Sequence, residues 1–169
     1  MTRILIADDN ASVRRALARL FKSAHNWEVI AVEDGQLAVS RALEARPDLV
    51  IVDLQMPVMD GLTAARQISE ALPDTPIVMY TLHWTPALEL AAQKCGVSRV
   101  VPKVQSDALL AVVEELLRLN VARPAEIKSE PLPPLNLPVP TGGTAPDPAT
   151  LAEPENRSLE RGEKKPSEN

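Results

Sequence analysis

The chain has 169 residues, 18 Lys+Arg against 23 Asp+Glu for a net charge of -5, a hydrophobic fraction of 45% and four aromatic residues. So acidic and aromatic-poor a composition lacks the basic, aromatic-interleaved stripe of a nucleic-acid binder, and no apolar run approaches the roughly 18 residues of a membrane span. A single cysteine, Cys95, excludes a disulfide framework and a Cys-based zinc site, so a reducing compartment, the cytoplasm, is expected.

Residues 3–8 (RILIAD) read as a short buried strand that ends in acid. Residues 12–24 follow with helical period, placing Val13, Ala16, Leu17, Leu20 and Ala24 along one face. A weaker strand at 27–32 (WEVIAV) leads to a helix over 36–45 with Leu37, Ala38 and Leu43 inward and Pro47 at its exit. Residues 48–53 (DLVIVD) repeat the buried, acid-ended form, and a helix over 62–72 starts after Gly61 and stops before Pro73. The fourth strand is 76–80 (PIVMY). Pro86 suits the first position of a helix over 86–95, and Gly96 suits its stop. A weak strand at 98–101 (SRVV) precedes a helix over 106–119, capped by Ser106 or Asp107 and carrying Leu109, Leu110, Val113, Leu116 and Leu117.

This is a βα unit five times over. It implies an α/β fold in which a five-stranded parallel sheet is doubly wound by helices, with function gathered at the carboxyl ends of the strands. Residues 1–120 form the expected domain. From 121 to 169 proline rises to ten in 49 residues and Phe, Tyr and Trp vanish, so that stretch reads as a Pro-rich disordered tail.

Asp8 and Asp9 follow the first strand and Asp53 ends the third. If those strands are neighbours, three carboxylates converge, an arrangement that needs a cation or a proton. Hard oxygen donors without His or Cys suit Mg²⁺ or Mn²⁺, which keep waters and recruit phosphate oxygens. Taken singly, each aspartate could be a strand-ending or helix-capping residue. Thr81 after the fourth strand and Lys103 after the fifth add a hydroxyl and an ammonium able to meet a phosphoryl oxygen.

With ILIADDN around Asp8 and Asp9, VDLQMPVMDG headed by Asp53, YT ending in Thr81 and VVPK ending in Lys103, residues 2–120 resemble a two-component response-regulator receiver domain. The resemblance implies a flavodoxin-like sheet of strand order 2-1-3-4-5. It makes Asp53 the acceptor of a phosphoryl group from a sensor histidine kinase or histidine phosphotransfer protein. It also implies Mg²⁺ held directly by Asp9, by Asp8 directly or through water, by Asp53 and by the main-chain carbonyl of Gln55. Thr81 would turn in to bind the phosphoryl group and Lys103 would pair with it. Pro57 and Gly61 would shape the loop after Asp53, Gly61 through backbone angles closed to other residues.

The chain departs from the family pattern at four places. Val100 stands where the family has Tyr or Phe, Val104 where proline follows the lysine, Pro102 before the lysine, and Leu82 where a small residue is usual. A bulky Leu82 would restrict access to the site. His83 is either a second phosphate or metal contact or a solvated loop histidine, and Trp84 is either packing for the fourth helix or an exposed anchor for a partner.

The expected function is that of a stand-alone signalling module, not an enzyme beyond limited self-phosphorylation and autodephosphorylation. Its output would run through an unknown downstream protein or a phosphorelay, with no direct nucleic-acid or membrane partner. A degenerate receiver acting as a constitutive binding module is the alternative, against which all the resembling site residues stand. An aspartate-nucleophile phosphatase resembling the haloacid dehalogenase group needs a second Asp two residues past the nucleophile, where this chain has Gln55. A flavodoxin-like cofactor carrier needs a Ser/Thr/Gly-rich phosphate loop, where this chain has Asp8 and Asp9.

Overall fold

The computed structural model describes residues 1–121, so the expected tail lies outside the described residues apart from Val121 at the end of a helix. Five strands and five helices alternate: β1 (Arg3–Ala7), α1 (Ala11–His25), β2 (Glu28–Val32), α2 (Gly35–Ala45), β3 (Leu49–Val52), α3 (Gly61–Ala71), β4 (Ile77–Thr81), α4 (Pro86–Lys94), β5 (Arg99–Pro102) and α5 (Ser106–Val121). A single 3-10 turn, Lys103–Gln105, joins β5 to α5. All strand pairs are parallel and the order is β2-β1-β3-β4-β5, the order that the family resemblance implies.

The strands work as central strands because both faces are apolar and alternate residues feed different cores. Leu5, Ala7, Val50, Val52, Ile77 and Met79 pack with buried residues of α2, α3 and α4. Ile4, Ile6, Leu49, Ile51, Val78 and Tyr80 pack on the other face with Leu17 and Phe21 of α1 and Leu109, Val113 and Leu117 of α5.

Four helices begin on a side chain that accepts a hydrogen bond from an otherwise unpaired amide: Asn10 for α1, Asp34 for α2, Asp60 for α3 and Thr85 for α4. These caps move several helix starts one residue earlier than periodicity alone places them.

In α2 the buried residues are Gly35, Ala38, Val39 and Ala42, while Leu37 and Leu43, expected inward, are 41% and 48% exposed. The helix lies so close to its neighbours that a methyl on Gly35 would overlap the Met59 carbonyl oxygen. Small side chains therefore take the inner face and the leucines are turned out. In α1, Ala16 and Ala24 are likewise exposed and Phe21 is fully buried. No helix of the described residues is long and apolar enough to cross a membrane.

Asp60 caps α3 with both oxygens, accepting from the Thr63 amide at 3.0 Å and the Thr63 hydroxyl at 2.7 Å. Burial acts to raise its pKa, but the Thr63 bonds outweigh it and hold the carboxyl below the ordinary 3.8. A depressed folded pKa gives stability that is present above the unfolded value and lost as pH falls through the folded one. Asp60→Ala is therefore expected to cost about 1 kcal/mol at neutral pH. Urea unfolding at decreasing pH should find the gap between the two proteins closing below the ordinary aspartate value.

Candidate functional site

The site follows from strand register. Ala7 of β1 lies opposite Val52 of β3, so the next residues, Asp8 and Asp53, leave the sheet side by side, and the Asp53 amide donates to the Ala7 carbonyl at 2.8 Å. Asp8 is 2% exposed and Asp53 7%, while Asp9, one residue further out, is exposed. Carboxylate oxygens of all three lie within 4.8 Å of one another.

Lys103 answers this charge from two strands away. Adjacent strands are about 4.8 Å apart, so β5 stands about 10 Å from β3, within reach of a lysine that crosses the end of β4. Its Nζ donates to Asp8 Oδ2 and to Asp53 Oδ2, each at 2.7 Å. The three side chains are 10%, 3% and 9% exposed. Burial pushes the Asp8 carboxyl above its usual 3.8, and the bonds from Lys103 and the Asn10 amide only partly offset it. Burial would also lower the Lys103 pKa, but its bonds to Asp53 and Asp8 prevail and raise it above 10.5. The ammonium also lies 5.8 Å from the centre of the Tyr80 ring. Tyr80 is itself raised above 10.0, chiefly by burial.

One lysine cannot balance three carboxylates, and the two negative charges left over match a divalent cation. The donors are hard oxygens, one of them exposed, which is the chemistry Mg²⁺ takes. Gln55, whose main-chain carbonyl the resemblance offers as a further ligand, lines the same open cavity of about 620 Å³ as Asp9, together with Leu54, Met56, Pro57 and Asp60. The residues present fit such an ion.

Thr81 ends β4 and is 1% exposed. Its Oγ1 accepts from the His83 amide at 3.2 Å, and among the described residues it makes no bond to a carboxylate. His83 is exposed, Leu82 is 65% exposed and Trp84 45%, so all three reach solvent beside the site. Val100 is half-buried on the α2–α3–α4 side, opposite Met79. Pro102 is extended, with φ -64° and ψ 136°, and delivers Lys103 into the 3-10 turn.

Two features of the Asp53 loop differ from expectation. Gly61 does not need an unusual φ; it is needed for space, because a methyl there would overlap the Asp53 carbonyl oxygen. The unusual backbone falls instead on Val58, whose φ is 66°. The Met59 amide donates back to the Pro57 carbonyl at 2.7 Å across it, closing a γ-turn of the strained, positive-φ kind. Nothing in the sequence marks this, since a β-branched residue is the least suited to that region.

The sequence reading also passed over Arg14 and Asn10, whose contacts fix the loop of Asp8 and Asp9. An Asn just before a helical period was a legible cap; the reach of Arg14 was not.

Val58 is 84% exposed, so little packing holds it in its strained conformation. Left-handed backbone costs a non-glycine residue roughly 1–2 kcal/mol, part of which glycine gives back as chain entropy. Val58→Gly should therefore stabilise the fold by roughly 0.5–1 kcal/mol, seen as a higher denaturation midpoint with unchanged slope in urea.

The model of the response regulator receiver domain matches residues 4–114. A protein-glutamate methylesterase/protein-glutamine glutaminase of Vibrio parahaemolyticus is 33% identical over 78% of this chain and 40% of its own length. The transcriptional regulatory protein ResD of Bacillus subtilis is 36% identical over 69% of this chain and 48% of its own. The chain thus spans less than half the length of either. Among solved structures, a LuxR-family two-component response regulator from Aurantimonas is similar at 31% identity and a TM-score of 0.65, over 70% of this chain and 86% of that one. The match runs from β1 into α5 and takes in Asp8, Asp9, Asp53, Thr81 and Lys103, and the chain belongs to the response regulator receiver domain family.

Proposed function

We propose that the Asp53 carboxylate accepts a phosphoryl group from the phosphohistidine of a sensor histidine kinase or histidine phosphotransfer protein. The observation that carries this reading is the buried Lys103 shared by Asp8 and Asp53 beside an exposed Asp9. An Asp53 Oδ attacks phosphorus, an O–P bond forms, the P–N bond to the donor imidazole breaks, and that nitrogen takes the bonding pair.

Phosphoryl transfer asks of a protein mainly alignment and neutralisation of the equatorial oxygens. Mg²⁺, when held by Asp8, Asp9, Asp53 and the Gln55 carbonyl, supplies positive charge to those oxygens. Lys103 supplies a second cation on the side of β5 and keeps the Asp53 oxygen it already binds oriented. Thr81 still has its hydroxyl proton to donate, because the His83 amide uses only a lone pair of that oxygen.

Output, in this reading, is contact with another protein or onward phosphorelay. The methylesterase and transcriptional activities in the names of the relatives belong to proteins of which this chain spans less than half the length.

Incubation of the full chain with acetyl phosphate should raise its intact mass by one phosphoryl group when Mg²⁺ is present. Modification undiminished in EDTA, or undiminished in Asp53→Asn, would overturn the assignment.

A second prediction follows from the tie between Thr81 and His83. If the Thr81 hydroxyl turns toward the phosphoryl group, the amide it now accepts from must follow or lose its partner. Amide NMR with beryllofluoride, a phosphoryl mimic, should then move resonances of residues 82–84 in the wild type. In Thr81→Ala those shifts should vanish while Asp53 modification persists.

A further inference from the structure

Arg14 lies on the first turn of α1, outside the set of acids, hydroxyl and lysine described above. Its Nη1 donates to two successive main-chain carbonyls, Asp8 at 2.7 Å and Asp9 at 3.0 Å. Its Nη2 stands 3.7 Å from Glu33 Oε2 in the β2–α2 loop, and the side chain is only 18% exposed. The Arg14 amide in turn donates to the Asn10 carbonyl at 3.1 Å, and the Asn10 amide to Asp8 Oδ1 at 2.9 Å. The two-residue exit from β1 is thereby gripped from both ends, by the start of α1 and by a guanidinium folded back over it.

The grip matters most for Asp9. Among the described residues, its carboxylate receives no hydrogen bond, so its aim depends on how its main chain is held. Asp8 is oriented through its own side chain, by Asn10 and Lys103. Asp9 has only the carbonyl contact.

We infer that Arg14 is a positioning residue for the divalent-cation site, holding the Asp8–Asp9 main chain so that the Asp9 carboxylate faces the ion, with Glu33 as the counter-ion that steadies the guanidinium. This rests on the reading of the acidic cluster as a Mg²⁺ site. The placement is paradoxical on charge alone. The guanidinium adds positive charge behind the Asp8–Asp9 main chain and so opposes a second cation, and a purely electrostatic role predicts tighter Mg²⁺ binding once it is removed. Positioning predicts the opposite sign. Groups that orient metal ligands from behind commonly contribute about ten- to hundredfold to metal affinity when removed singly.

The test is calorimetric titration of Mg²⁺ into the full chain and into Arg14→Met, Arg14→Lys and, as control, Arg15→Met. Arg14→Met keeps an unbranched stem and loses every donor. Arg14→Lys keeps an ammonium able to donate to both carbonyls. Arg15 is a neighbour whose guanidinium bonds Ser12 Oγ instead.

The expected result is a loss of about tenfold or more in Mg²⁺ affinity for Arg14→Met, recovered in part by Arg14→Lys and absent in Arg15→Met. The rate of Asp53 modification by acetyl phosphate should be slowed in Arg14→Met at low Mg²⁺ and return to the wild-type value at saturation. Unchanged or tighter binding by Arg14→Met overturns the inference, as does Arg14→Lys binding no better than Arg14→Met or an equal loss in Arg15→Met. If Arg14→Met does not melt cooperatively, Arg14→Lys and Glu33→Gln carry the test, and wild-type affinity in both overturns it. A wild-type chain that takes up no Mg²⁺ overturns the metal reading itself, and this inference with it.

Discussion

Lys103 donates at 2.7 Å to both Asp8 and Asp53, with all three side chains at most 10% exposed, so a single ammonium is the shared partner of two buried carboxyls. Breaking a buried pair of this kind by removing one partner typically costs about 3–5 kcal/mol, because the other charge is left unmatched. The strand order makes the contact possible: β1 beside β3 brings the acids together, and β4 alone separates β3 from the strand that leads into the lysine. Yet the same lysine does not finish the neutralisation. The edge is held together by one cation and stays short of positive charge, which is the condition of a site that stands ready rather than saturated.

The fold was legible because its signals were redundant. Three strands are compact apolar runs and two are weaker, each helix has a period or a breaker, and together they agree on five βα units. The convergence of the acids was legible for a similar reason: aspartates at the ends of β1 and β3 meet if those strands pair, and the register pairs them. What escaped was decided by distance between main chains, which no residue pattern encodes. Leu37 and Leu43 carry the apolar signal of α2, but the closeness of Gly35 to Met59 gives the inner face to the smaller Ala38, Val39 and Ala42. Gly61 was rightly picked out as special, for clearance rather than for torsion. Val58 could not be found at all, because its residue type argues against the φ it adopts.

Val100 limits how conformational change can pass along β5. A β-branched side chain has few χ1 choices, and this one is already packed on the α2–α3–α4 side. It offers no large group with alternative buried and exposed positions. By contrast, Thr81 is tied through its oxygen to the main chain of His83, next to a tryptophan that is 45% exposed. Any displacement of the hydroxyl is felt directly in backbone geometry.

The crowding around the Asp53 loop gives its mechanics a direction. At one end Gly61 abuts the Asp53 carbonyl, and at the middle the Met59 carbonyl is seated against Gly35 of α2, with no room for even a methyl at either place. Just before Met59, Pro57 and Val58 face open solvent. A segment built this way is stiff to inward pressure and soft to outward pull, like a plank resting against a wall. The segment has no room to move toward Gly35 or Gly61, while a partner that grips Pro57 and Val58 meets only their exposed faces. Enlarging either glycine would move the wall; changing Val58 would alter only the stiffness of the plank.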